Sequence, residues 1–177
     1  MLTLELTGPD ATERLGAALA AVLHPPSLVT LVGDLGTGKT TLVRCVLRAR
    51  GVTEVVASPS FMLAQSYRDA QGVPLHHLDL YRLAPGSDAD LFAWDDYLSE
   101  DAITFVEWPE AGNSNLPRAD IAVTLEHRAP TARAALIRAS RGVESVLHRR
   151  LGGVVDADPK EPASGVRYGG RRPEETV

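Results

Sequence analysis

The most specific chemistry in the chain is carried by one short run. Gly33-Asp34-Leu35-Gly36-Thr37-Gly38-Lys39-Thr40 matches G-x-x-x-x-G-K-[ST] at every fixed position. Glycines admit backbone angles closed to other residues, so successive amide N–H groups can converge on phosphate oxygens. A helix beginning near Lys39 adds the positive end of its dipole. Lys39 is a compact charge that reaches β- and γ-phosphates, and the Thr40 hydroxyl is the ligand such loops offer Mg²⁺. Lysine occurs only at Lys39 and Lys160 among the 18 basic residues. Arginine's broad fork does not fit inside the loop, which accounts for a lysine at position 39. Thr41 supplies a second hydroxyl, either for phosphate or for simple solvation at a helix start. The loop implies binding of a nucleoside triphosphate.

Such a site needs carboxylates at neighbouring strand ends, to hold Mg²⁺ or its water. Asp79 lies near the end of LHHLDLY, and Glu107 directly follows AITFV. An acid at the exit of a buried strand is costly unless it is paired or binds a metal. The alternative for Asp79 is an ion pair with Arg82, and for Glu107 a solvated strand terminus. Asp34, inside the loop, is a weaker candidate. Trp108, between Glu107 and Pro109, reads either as a core plug or as a wall of the site. His76 and His77 have no third ligand at metal spacing and read as structural. Cys45 sits on the apolar face of the helix after the loop and reads as a packed thiol. Ser58-Pro59-Ser60-Phe61 places hydroxyls where a γ-phosphate-sensing segment can lie; a turn cap before a strand explains them nearly as well.

The elements that must hold these groups alternate between strand and helix. Residues 2–7 alternate apolar and polar, as a half-buried strand does. Asp10 and Glu13 read as an N-cap and capping box for an amphipathic helix over about 10–23, ended by Pro25 and Pro26. Residues 27–32 form an apolar strand running straight into the loop, and 39–50 form the helix leaving it. Residues 61–67 and 75–81 read as an antiparallel hairpin across RDAQGVP, and 88–98 as a short acidic helix with Leu91, Trp94 and Leu98 on one face. Buried strands are expected over 102–106, 121–126 and 134–139. The sum is a three-layer α/β fold with a mainly parallel central sheet plus an antiparallel hairpin.

Composition sets the remaining bounds. The chain has 177 residues, enough for one domain with its own core. Residues 1–150 read as that domain. Residues 151–177, rich in glycine and proline and poor in large apolar side chains, read as a disordered tail. The single cysteine excludes an intrachain disulfide and suits a reducing cytoplasm. No apolar run approaches the roughly 20 residues needed to span a bilayer, and no secretory signal is expected. A net charge of −5 argues against gripping nucleic acid by overall charge. Two other classes share the loop: small-molecule kinases, which need an arginine-bearing lid, and nucleotide-controlled binding modules. No clear lid is present, and no N-K-x-D guanine-reading motif occurs.

Taken in order, GDLGTGKTTLVR, SPSFMLAQSY, HHLDLYRL, DDYLSEDAITFVEWPE and TARAALIRA resemble the TsaE family over roughly residues 3–140. TsaE is the bacterial ATPase of tRNA threonylcarbamoyladenosine biosynthesis. The loop alone is unspecific; combined with S-P-[ST]-[FY], H-x-D-L-Y-R and V-E-W-P it is specific. The resemblance implies a fold similar to P-loop NTPases, with ATP and Mg²⁺ as cofactors. It further implies that Gly36, Thr37, Gly38, Lys39, Thr40 and Thr41 wrap the phosphates, and that Thr40 and Glu107 hold Mg²⁺. Asp79 would act at the catalytic centre and Trp108 would shape the nucleotide site. The Asp10–Thr12 segment would border adenine, with Arg133 near the nucleotide. The implied partners are the TsaB and TsaD proteins, with tRNA met through their complex. ATP hydrolysis would reset that complex without transferring the threonylcarbamoyl group. The base concerned is the adenosine beside the anticodon in tRNAs reading codons that begin with A. Ser60 stands where threonine is common, and Leu78 replaces the usual phenylalanine before the aspartate.

Overall fold

A computed structural model describes residues 1–54, 63–82 and 93–152. Among the described residues, seven strands form one sheet in the order β1-β7-β6-β2-β5-β4-β3. They are β1 (Leu2–Thr7), β2 (Ser27–Val32), β3 (Ala64–Arg68), β4 (Pro74–Asp79), β5 (Ile103–Glu107), β6 (Ile121–Ala129) and β7 (Ala132–Arg138). The helices are α1 (Gly8–Ala20), α2 (Lys39–Ala49) and α3 (Arg141–Arg150).

The central strands β6, β2, β5 and β4 run parallel. Both flanks are antiparallel: β3 closes a hairpin on β4, while β7 pairs with β6 and with β1. The sheet is therefore evenly mixed rather than mainly parallel. The sequence shows the apolar character of residues 121–138 but not that a short turn makes them a second hairpin, on which the N-terminal strand then lays itself.

The helices of the described residues cover one face of the sheet, and part of the helix expected over 88–98 lies outside those residues. α1, α2 and α3 all pack on one face, where Leu15, Leu19, Leu42, Val46 and Leu147 meet Val29, Leu31, Ile103 and Phe105. The opposite face, formed by Leu28, Leu78 and Val106, is covered by Trp94 and by partly buried residues of the connections, including Tyr97, Leu98, Trp108 and Ala111. Among the described residues those connections hold only short 3₁₀ turns, Trp94–Asp96 and Pro109–Asn115. The second of these, PEAGNSN, carries glycine and asparagine that disfavour a longer helix.

Local signals explain most element boundaries. α1 starts earlier than expected, at Gly8, and Thr7 is its N-cap without a side-chain cap. Asp10 instead lies in the first turn, where an acid favours the helix dipole. The Gly8 N–H donates to the Thr131 carbonyl at 3.0 Å, so the β6–β7 turn satisfies this helix end. α1 lies close on α2: a Cβ on Gly16 would stand 2.4 Å from Cys45 Cβ. Cys45 is buried there as expected, and burial pushes its thiol up. The 88–98 segment contributes a buried Trp94, while Leu91 lies outside the described residues. So do Ser58–Phe61 and the segment 153–177. α3 is an addition to the expected elements. Ser140 caps it by accepting from the Val143 N–H at 3.4 Å, and Glu144 reaches back to the Ala139 N–H at 3.1 Å.

Candidate functional site

The glycine-rich loop leaves β2 and turns into α2 through backbone of positive φ, which glycine adopts without steric cost. Gly33, Gly36 and Gly38 adopt φ of 142°, 77° and 102°. At Gly33 a Cβ would stand 2.3 Å from the Leu125 carbonyl oxygen, so the close approach to β6 requires glycine. At Gly36 and Gly38 nothing lies within 4 Å of an added Cβ, so the loop there opens onto free space. That bare, concave backbone is what a phosphate chain needs. The Thr37 hydroxyl ties the loop by donating to the Asp34 carbonyl at 2.9 Å.

Lys39 turns inward from the first residue of α2 and is only 5% exposed. Its Nζ donates to the carbonyls of Gly33 at 2.6 Å and Asp34 at 3.0 Å. The ammonium also sits 4.0 Å from the ring centroid of Trp108, a cation–π contact. Burial lowers the Lys39 pKa, opposed by the negative charges of Glu107 and Asp79. Trp108 itself holds a left-handed backbone, φ 58°, and donates its N–H to the Leu31 carbonyl at 3.2 Å. Tyr81 lies against it with ring centroids 4.9 Å apart. Trp108 thus packs, partly buried, against the second core and lies with its ring face toward the lysine.

Glu107 is the last residue of β5 and is inside the strand, paired in register with Leu31 on one side and Asp79 on the other. The alternation that sends Ile103 and Phe105 into the helical core puts Glu107 on that same face, as Leu75 does for His77 and Asp79. Glu107 is 2% exposed, which removes the solvated-terminus alternative. Asp79 is also buried; its Oδ1 accepts the Tyr81 N–H at 3.1 Å. Burial raises the Asp79 pKa, and the Glu107 charge adds to it, against the Tyr81 hydrogen bond and the Lys39 charge. The two carboxyl groups and the lysine form one cluster at the strand ends.

A cleft of about 360 Å³ adjoins the loop. Gly36, Thr37, Gly38 and Thr41 line one side, Gly8, Pro9 and Thr12 another, and Pro130, Thr131 and Arg133 a third. Thr12 and Arg133 are therefore brought to the same opening as the loop, from α1 and β7. Asp34 is exposed and contributes its backbone carbonyl oxygen to Lys39. Thr40, the second residue of α2, is half-buried at the helix start.

The described residues hold no group of three His, Cys, Asp or Glu side chains able to bind a metal by themselves. The oxygen donors at hand, Thr40, Asp79 and Glu107, suit a hard cation that draws its remaining ligands from phosphate and water, the usual arrangement for Mg²⁺. The residues present fit that ion with a nucleotide, and not a metal held by protein alone. The residue sequence reasoning missed is His77. It is fully buried, and its Nε2 lies 2.8 Å from Glu107 Oε1. The signal was the H-x-D spacing, which puts His77 and Asp79 on one face of a strand.

The glycine-rich loop thus borders the cleft on one side and, through Lys39, the buried carboxylates on the other. The family model for "Threonylcarbamoyl adenosine biosynthesis protein TsaE" matches residues 6–135. The tRNA threonylcarbamoyladenosine biosynthesis protein TsaE of Haemophilus influenzae is 42% identical over 100 residues, covering 56% of this chain and 63% of that protein. The Mycobacterium bovis protein of the same name is 36% identical over 131 residues, covering 70% and 78%. The crystal structure of Bacillus subtilis YdiB superposes with a TM-score of 0.68 at 26% identity, covering 85% of this chain and 93% of the other. The chain belongs to the TsaE family. No helix of the described residues is long and apolar enough to cross a membrane.

Proposed function

We propose that this protein is a Mg²⁺-dependent ATPase with a P-loop NTPase-like fold, serving tRNA threonylcarbamoyladenosine formation in the cytoplasm. The observation that carries the reading is the juxtaposition of Lys39, stationed inside the loop, with Asp79 and Glu107 in register at the ends of β4 and β5. The backbone N–H groups of Gly36 to Thr41 and the Lys39 ammonium receive the triphosphate. Thr12 and Arg133, across the cleft, border the nucleoside. Thr40 and Glu107 would hold Mg²⁺, which would supply neutralisation of charge on the phosphate oxygens. Asp79, with its carboxyl raised by burial, orients the attacking water and accepts its proton. Trp108 walls the site beside Lys39 and keeps water from the lysine.

Within the pathway the protein does not transfer the threonylcarbamoyl group. It docks on TsaB and TsaD, and its hydrolysis of ATP resets that complex between cycles of modification. The product is the modified adenosine next to the anticodon of tRNAs reading codons that start with A. The acidic net charge of −5 agrees with a tRNA held by the partners. ATP turnover measured with purified TsaB and TsaD, with and without tRNA, tests the reading. Weak hydrolysis alone that rises with the partners supports it; equal turnover with and without them overturns the coupling.

A further inference from the structure

Among the described residues, one fully buried titratable side chain, His77, is unused by the mechanism above. His77 Nε2 meets Glu107 Oε1 at 2.8 Å, while His77 Nδ1 is buried with no hydrogen-bond partner among the described residues. That asymmetry fixes where the ring carries its proton. A proton on Nδ1 would leave a buried N–H unsatisfied and set the bare Nε2 lone pair against a carboxylate oxygen. A proton on Nε2 makes a charge-assisted hydrogen bond and leaves only a bare acceptor without a partner. The register adds direction. His77 pairs with Phe105, two residues before Glu107, so the ring comes from behind the carboxylate on the same face of the sheet.

We propose that His77 is a positioning residue: its Nε2–H holds Oε1 of Glu107 and so commits the other oxygen, Oε2, to the Mg²⁺ and water at the phosphate loop. Partners one step behind a metal ligand fix its orientation, and their loss typically lowers metal affinity about 10- to 100-fold. The inference rests on the reading of Glu107 as a metal ligand, and the experiment separates the two.

Mn²⁺ serves as the probe, titrated by electron paramagnetic resonance into the full-length protein saturated with ADP. Glu107→Gln, His77→Asn and His77→Gln are compared, with metal-free ADP affinity as a control for an intact loop. Glutamine places an N–H where Nε2 stands; asparagine reaches only as far as Nδ1. His77→Asn is expected to weaken Mn²⁺ binding by about 10-fold. His77→Gln is expected to recover most of that loss, at unchanged metal-free ADP affinity. Wild-type Mn²⁺ affinity in His77→Asn, alongside a loss in Glu107→Gln, overturns the role of His77 alone. Glutamine performing no better than asparagine overturns it too. Wild-type affinity in Glu107→Gln removes Glu107 from the metal and the His77 proposal with it. Long-range ¹H–¹⁵N spectra of the unsubstituted protein add a test that needs no variant. They are expected to show a proton on Nε2 of His77, and an Nδ1–H tautomer with a bare Nε2 overturns the proposal.

Discussion

Two buried clusters of charge lie at opposite ends of this fold, and they are built on opposite rules. At one, Arg50 donates to Asp69 Oδ2 through Nε at 3.0 Å and Nη2 at 2.6 Å, and through Nη1 to the carbonyls of Ala20 and Leu23. Asp69 Oδ1 accepts the N–H groups of Gln71 and Val73, both at 2.9 Å. The pair thus ties the end of α1, the end of α2 and the β3–β4 turn, with both carboxylate oxygens engaged. At the other, Lys39 is held by two carbonyls and a ring face, Asp79 by one amide, and Glu107 by one imidazole. Burial raises the Asp69 pKa as well, but hydrogen bonds from Val73, Arg50 and Gln71 outweigh it and hold the carboxyl below its usual range. Asp79 has too few such donors and ends above it. A saturated ion pair fastens the chain to itself. An unsaturated cluster keeps valence for something that arrives.

Substitutions should separate the two clusters by what they damage. The largest effect is expected for Lys39→Ala, with turnover falling by at least about 100-fold for loss of a charge aimed at the phosphates. Chemical denaturation should find its stability within about 1 kcal/mol of the unsubstituted protein, because a desolvated charge leaves with the side chain. Lys39→Arg should not restore turnover, since the fork does not fit the loop. Asp69→Ala should do the reverse. It strands the Arg50 guanidinium and two amide N–H groups, and should cost about 3–5 kcal/mol in denaturant melts. At temperatures where that variant stays folded, its ATP affinity should be unchanged. A stable Asp69→Ala, or a Lys39→Ala that unfolds, would erase the contrast.

The same contrast shows why parts of the site were legible in sequence and parts were not. The loop, β2 and α2 are contiguous, so glycine spacing, an apolar run and helical periodicity fall within one stretch of chain. Asp79 and Glu107 could be picked out because a buried-strand pattern ends at each. What sequence does not print is register. That Asp79 faces Glu107, and that His77 sits behind it, follows from β4 pairing in parallel with β5 across a connection of more than 20 residues. The cleft is assembled from α1, the loop and the β6–β7 turn, so Thr12 and Arg133 entered only through family resemblance. α3 carries few large apolar residues, yet Ser140 at its start was a readable N-cap. The hairpin Ile121–Arg138 showed its strands but not that β1 would complete the sheet beside it.

The finest test sets the two aspartates against each other by pH. Asp69 is depressed in the folded protein, so its contribution to stability is present above the ordinary carboxylate pKa. That contribution fades as pH falls through the still lower folded value. Asp69→Asn should therefore cost most at neutral pH, with the deficit shrinking in acid. Asp79 is raised, so the folded state takes up its proton more readily than the unfolded chain does. Its favourable contribution holds below the ordinary carboxylate pKa and is lost as pH rises through the folded value. Asp79→Asn should then gain about 1 kcal/mol at neutral pH, in the manner of functional groups that tax stability, with the gain vanishing in acid. Denaturation curves of both variants between pH 3 and 8 should diverge in opposite directions as pH rises. If they run parallel, the difference in donor supply between the clusters has no energetic consequence.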